Sequence, residues 1–172
     1  TKKILKINKI EFIPLQYNVT IDEKLVGICI ACSGSEKQWG KENYIRLINF
    51  LIENHYNKFL LLSGKDQSNL ENSIINNFSN QIKFIDSSKK SIGEVIPDLK
   101  KCNFVIGNDT GFSHLSVAYN KKTYVILGDC PPHNYSNLIT TIDKDENIER
   151  SIDSIKSIKL DKVLKYLNKS MN

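Results

Sequence analysis

From Leu25 onward, short apolar runs alternate with segments whose apolar residues recur every three or four positions. The first run, Leu25-Val26-Gly27-Ile28-Cys29-Ile30-Ala31-Cys32, predicts a buried strand over 25–32. Tyr44, Ile45, Leu47, Ile48, Leu51 and Ile52 then fall on one face of a helix over 42–55. The same rhythm predicts strands over 58–63, 82–85, 104–107, 123–127 and 138–142. It also predicts helices over 66–78, from Ser91 through Leu99, over 111–119, and from a cap at Asp161 through Leu167. Pro97 is expected to shorten or kink the helix that holds it. Residues 1–24 keep neither period and are interrupted by Pro14, so they read as a linker or edge strands ahead of a domain over 25–172.

Strands that alternate with helices at this spacing predict a parallel sheet with helices on both faces, a Rossmann-like α/β domain. Ligands of such sheets sit outside the carboxyl ends of the strands. Three loops meet that condition, 33–40, 107–114 and 128–134.

The middle loop carries the most chemistry. In Phe104-Val105-Ile106-Gly107-Asn108-Asp109-Thr110-Gly111-Phe112-Ser113-His114-Leu115, an apolar strand stops at a glycine and passes a polar turn into helical spacing. Asn108, Asp109 or Thr110 can cap the new helix, whose free amides and dipole make an anion site. Thr110 and His114 are four apart and share a helix face, while Leu115 and Ala118 can turn to the sheet. Asp109 would repel a phosphate held against it, so it is assigned to capping, to a sugar hydroxyl or to a cationic partner. The plainer alternative keeps Asp109 as an N-cap alone and His114 as a satisfied helix histidine.

The other two loops add weaker signals. Ser33, Gly34 and Ser35 are small enough for a ligand to approach their amides, and Lys37 offers a point charge for phosphate. Neither the P-loop nor the GxGxxG spacing is present, and Lys37 alone reads equally well as a solvated lysine. Trp39 reads as a helix-docking aromatic. Asp129 and His133 flank Pro131 and Pro132 in a stiff loop, where His133 is a candidate contact or simply a surface histidine.

Size and composition narrow the partners. A chain of 172 residues supports one domain with a real core. The net charge of +5 rests on 22 lysines and only two arginines, Arg46 and Arg150, beside 24 isoleucines and 19 asparagines. That pattern resembles the drift of an AT-rich genome rather than a basic face, and no Arg-rich stripe or aromatic-basic interleaving suggests nucleic acid. Cys29, Cys32, Cys102 and Cys130 follow no secretory segment and are expected to be reduced. Cys29-x-x-Cys32 has no second pair to complete a metal site, so packing is its expected role. No metal and no cofactor are expected. No run reaches the ~18 apolar residues of a membrane span, so the chain is expected to be soluble or at most peripheral at an anionic membrane face, and a cytoplasmic location is expected. Residue 1 is Thr rather than Met, which suggests a piece of a longer chain.

Taken together, Ile30-Ala31-Cys32-Ser33-Gly34-Ser35 with Lys37-x-Trp39, the strand ending at Gly64, and Asn103 through Ala118 resemble glycosyltransferase family 9, the bacterial heptosyltransferases and relatives. Asp109-Thr110-Gly111-x-x-His114-Leu115-x-x-Ala118 matches the family's D-[ST]-G-x-x-H-[LI]-x-x-A signature. The resemblance covers about residues 25–130 and implies the carboxyl-terminal, donor-binding half of a GT-B fold. It implies Lys37 as the phosphate-binding lysine and Asp109, Thr110, Gly111 and His114 as the donor-binding turn. It implies metal-independent, inverting transfer of a heptose or similar sugar from an ADP-sugar or another nucleotide-diphosphate sugar to a lipopolysaccharide-type glycolipid acceptor. The catalytic base and acceptor site would belong to an amino-terminal domain, so no catalytic residue is expected here and the chain alone should not turn over. Gly40 and Phe112 stand where the family favours proline, and the loop after Gly128 lacks its Pro-Thr-x-Pro run. A non-catalytic nucleotide-sugar-binding or interaction domain of the same fold stays open, as does, more weakly, a sugar-nucleotide epimerase.

Overall fold

The computed structural model describes residues 13–64, 67–78, 80 and 82–171, with the side chains of Ser35, Ser170 and Met171 outside that description. Its strands are β1 (Asp22–Cys29), β2 (Lys58–Leu62), β3 (Lys83–Asp86), β4 (Cys102–Asn108), β5 (Lys122–Leu127) and β6 (Ile139–Asp143). The helices are α1 (Lys41–Glu53), α2 (Ser68–Ile75), α3 (Ile92–Lys101), α4 (Gly111–Ala118) and α5 (Leu160–Met171). All six strands pair in parallel, in the order β3-β2-β1-β4-β5-β6. The strand order reverses between β1 and β4, the switch point at which sheets of this kind open a crevice.

Both faces of the sheet are buried, which is why its strands read as continuous apolar runs. Val26, Ile28, Phe59, Leu61, Phe104, Ile106, Tyr124 and Ile126 share one core with α1, α2 and α5. Leu25, Cys29, Leu60, Leu62 and Val105 face the other way, against Val95 and Leu99 of α3. Val117 of α4 covers Val125 and Leu127. Trp39 docks a helix, as its position suggests: its indole N–H donates to the Ile158 carbonyl at 2.6 Å, just ahead of α5. Its ring meets Tyr44 edge-on at 5.4 Å.

The elements match the pattern, with shifted ends. β1 begins at Asp22, three residues before the expected start, and stops at Cys29 rather than residue 32. There the amides of Ile30 and Ala31 both donate to the Leu62 carbonyl at 3.0 Å, and the chain leaves the ladder. Cys29 is therefore buried in the core, whereas Cys32 lies beyond the strand. α2 is shorter than 66–78, and Asp66 lies outside the described residues. Pro97 sits inside α3 without ending it, and the Glu94 carboxylate accepts the Ser91 backbone N–H at 2.8 Å in the capping box. In α4 the buried positions are Ser113, Ser116 and Val117; the expected Leu115 is only partly buried. α5 starts at Leu160, which places Asp161 in its first turn rather than at the cap.

Candidate functional site

The site is built where β1 and β4 part. Gly107 pairs with Cys29 at φ +146°, and a Cβ there would lie 2.1 Å from the Cys29 carbonyl oxygen. Only glycine lets the two strands approach so closely at this conformation. One residue on, buried Asn108 ties the loops together rather than capping α4. Its amide donates to the Ala31 carbonyl at 3.2 Å, and its Oδ1 accepts the Tyr44 hydroxyl at 2.6 Å.

Thr110 caps α4: its Oγ1 accepts the Phe112 amide at 3.2 Å and lies 2.9 Å from Cys29 Sγ. Burial lifts the Cys29 thiol to about 11, so it stays protonated and inert. A Cβ on Gly111 would meet nothing within 4 Å, which leaves the first turn of α4 open to the crevice.

With the cap occupied by Thr110, Asp109 turns to two histidines. Its Oδ1 lies 3.0 Å from His133 Nε2 and 3.3 Å from His114 Nε2. The Nδ1 of His114 sits 2.6 Å from the Tyr135 hydroxyl, which orients the ring. His133 is no surface histidine; its side chain is 20% exposed, and its amide donates to Thr141 Oγ1 at 3.1 Å. Of the roles open to Asp109 in the sequence, capping falls to Thr110, and the Asp109 carboxylate lies beside two imidazoles instead.

Lys37 closes a 3₁₀ turn over Ser35–Lys37, and its ammonium lies 2.8 Å from Asp129 Oδ2. Their hydrogen bond holds the Lys37 ammonium above its ordinary range and the Asp129 carboxylate below its own. Arg150 braces the Asp129 loop from below. It grips Asp143 with two bonds of 2.6 and 3.1 Å and donates to the carbonyls of Gly128 and Cys130. The three loops singled out in the sequence thus converge on one place.

They border two adjoining spaces. A cleft of about 750 Å³ is lined by Ser33, Gly64, Gln67, Ser88, Thr110 and Gly111 among others. A smaller recess of about 80 Å³ holds Lys37 and Asp129, and Ser33 and Asp109 line both. Gly34 stands beside Ser33, where an added Cβ would meet only the end of the Glu36 side chain. The sequence reading missed Ser63, Gln67 and Ser88, although the rule that marked the loops after β1, β4 and β5 applies equally after β2 and β3. Behind them Glu71 is buried, accepting the Ser63 hydroxyl at 2.6 Å. Loss of water, with Asp86 adding to it, pushes the Glu71 carboxyl up to about 7.

A parallel sheet with a polar crevice at its switch point defines a Rossmann-like domain of the type that forms half of a GT-B fold. The sequence matches the model of glycosyltransferase family 9 (heptosyltransferase) over residues 4–163, and the chain belongs to that family. No curated protein sequence matches it. Among solved structures it is similar to the ADP-heptose lipopolysaccharide heptosyltransferase II of E. coli, with a TM-score of 0.74 at 20% identity over 91% of this chain and 53% of that one. It is similar also to the E. coli heptosyltransferase WaaC with ADP, TM-score 0.71 at 18% identity, covering 85% of this chain and 44% of that one. A family 9 glycosyltransferase from Veillonella parvula gives 0.72 at 18% identity, covering 88% and 46%. The chain spans about half the length of these proteins. No helix among the described residues is long and apolar enough to cross a membrane.

Proposed function

We propose that this chain is the donor-binding half of a metal-independent, inverting glycosyltransferase. It would transfer a heptose or similar sugar from a nucleotide-diphosphate sugar, an ADP-sugar in the first instance, to a lipopolysaccharide or other surface-glycan acceptor. The observation that carries this reading is the meeting of Lys37 with the open first turn of α4 around Ser33 and Asp109. A lysine and a helix N-terminus on facing loops suit a diphosphate, whose charge grows as the glycosidic bond breaks. The structure of WaaC with ADP supports an ADP-linked donor in this family. The cleft beside Gln67 and Ser88 has room for the nucleoside. Ser33, Gly34 and Ser35 would offer backbone to the donor, and Asp109 and His114 would meet its sugar side. The base that activates the acceptor, and the acceptor site itself, would lie in the other domain, placed at the inner face of the cytoplasmic membrane.

Calorimetry with ADP, UDP, GDP and CMP tests the reading. ADP should bind the chain in preference to the others. A folded chain that binds none of the four is not a donor domain.

A further inference from the structure

Asp109, Cys130 and His133 bring a carboxylate oxygen, a thiol sulfur and an imidazole nitrogen within 4.8 Å of one another. The contacts among them are 3.0 Å from Asp109 Oδ1 to His133 Nε2 and 3.7 Å from Cys130 Sγ to Asp109 Oδ2. Ligands at the corners of a zinc tetrahedron stand about 3.3 Å apart for oxygen and nitrogen, and about 3.5 Å where one is sulfur. The two contacts are near that spacing, one through each carboxylate oxygen, and one ligand atom from each residue lies within 4.8 Å of the other two.

A second observation points the same way. Asp109 Oδ1 and His133 Nε2 are both shielded from solvent, and despite their 3.0 Å approach neither has a hydrogen-bond partner of acceptable geometry. Buried polar groups left without partners cost free energy and are uncommon unless a water or an ion completes them. The frame around them is stiff. Pro131 and Pro132 separate Cys130 from His133, Arg150 holds the Cys130 carbonyl, and Thr141 holds the His133 amide.

We propose that Asp109, Cys130 and His133 form a binding site for a soft divalent cation of the zinc class. Sulfur and imidazole donors favour zinc or cobalt over magnesium or calcium, which take oxygen ligands. Three protein ligands leave a fourth position to water, and His114 Nε2 lies 3.3 Å from Asp109 Oδ1. Binding replaces the Cys130 S–H proton, which leaves to solvent. The site shares Asp109 with the donor reading, but its occupancy is read without nucleotide, so the two readings fail separately. On the proposed donor reading transfer uses no metal, and a cation held here would compete with the donor for Asp109.

Cobalt(II) titration of the chain, followed by absorption, tests the site. Wild type should develop the visible bands of four-coordinate cobalt and a near-ultraviolet thiolate charge-transfer band. Cys130→Ser should lose the charge-transfer band and, like His133→Gln, weaken zinc by more than about tenfold in competition with a chromogenic chelator, while Cys32→Ser changes neither. Circular dichroism reports folding, and if Cys130→Ser does not fold, the wild-type spectrum with His133→Gln and Cys32→Ser decides. A wild-type cobalt spectrum without the thiolate band, a band lost in Cys32→Ser, or unchanged affinity in a folded Cys130→Ser or His133→Gln overturns the proposal.

Discussion

Lys37 and Asp129 stand 2.8 Å apart and join the turn after β1 to the loop after β5. Both side chains are about a third exposed, so the pair is solvated and weak enough to open. A diphosphate carries more charge than one carboxylate and would compete for the same ammonium. Asp129→Asn should therefore tighten ADP several-fold, and Lys37→Ala should weaken it by more than about tenfold. Calorimetry at low and high salt measures both, and an unchanged affinity in Lys37→Ala would return that lysine to the surface.

Gly111 separates binding from stability. Its missing Cβ faces open space, so Gly111→Ala should keep stability within about 0.5 kcal/mol of wild type. The same methyl would stand where an anion must reach the α4 amides, and ADP affinity should fall by about tenfold or more. Thermal melts with and without ADP show both effects in one experiment; full ADP stabilisation in the variant would move the anion elsewhere.

Gly107 is the opposite case. A Cβ there strikes the Cys29 backbone, and its φ of +146° disfavours any side chain. Gly107→Ala should cost about 3 kcal/mol or more, whereas Gly34→Ala, whose Cβ meets only the movable end of Glu36, should cost under about 1 kcal/mol. Urea denaturation at one pH gives the comparison.

Glu71 makes stability depend on pH in an unusual direction. Its carboxyl titrates near 4.5 when unfolded and near 7 when folded, so the folded state binds the proton more tightly. The favourable contribution is complete below about 4.5, is lost as the pH climbs to about 7, and is absent above it. The loss is of order 3 kcal/mol. Glu71→Gln should flatten the stability profile across that window and be the more stable form above neutrality; a parallel profile in the variant would assign the slope to another group.

Among the described residues the apolar periods located every strand and α-helix, because burial on both sheet faces leaves an unmistakable pattern, as in Phe59 to Leu62. Their ends were less legible, since β1 stops where a carbonyl of β2 captures two amides, a feature of pairing and not of composition. The loops carrying Lys37, Thr110 and Asp129 were legible from their place after strands. What no local pattern could show is which partners they choose. Lys37 pairs with Asp129, ninety-odd residues away in the chain, and Asn108, a plausible cap, became a latch between loops. The clustering of Asp109 with Cys130 and His133 was likewise hidden, because they lie on two different loops. The CxxC that did draw notice places Cys29 in the core.

Arg150 gives the lysine-rich composition a second meaning. Its planar fork holds both oxygens of Asp143 and two carbonyls at once, a geometry that a single ammonium on a flexible stem does not reproduce. Beside 22 lysines and an exposed Arg46, the arginine at this position meets a requirement for shape and not for charge alone. Arg150 thus pins the third loop to the end of β6.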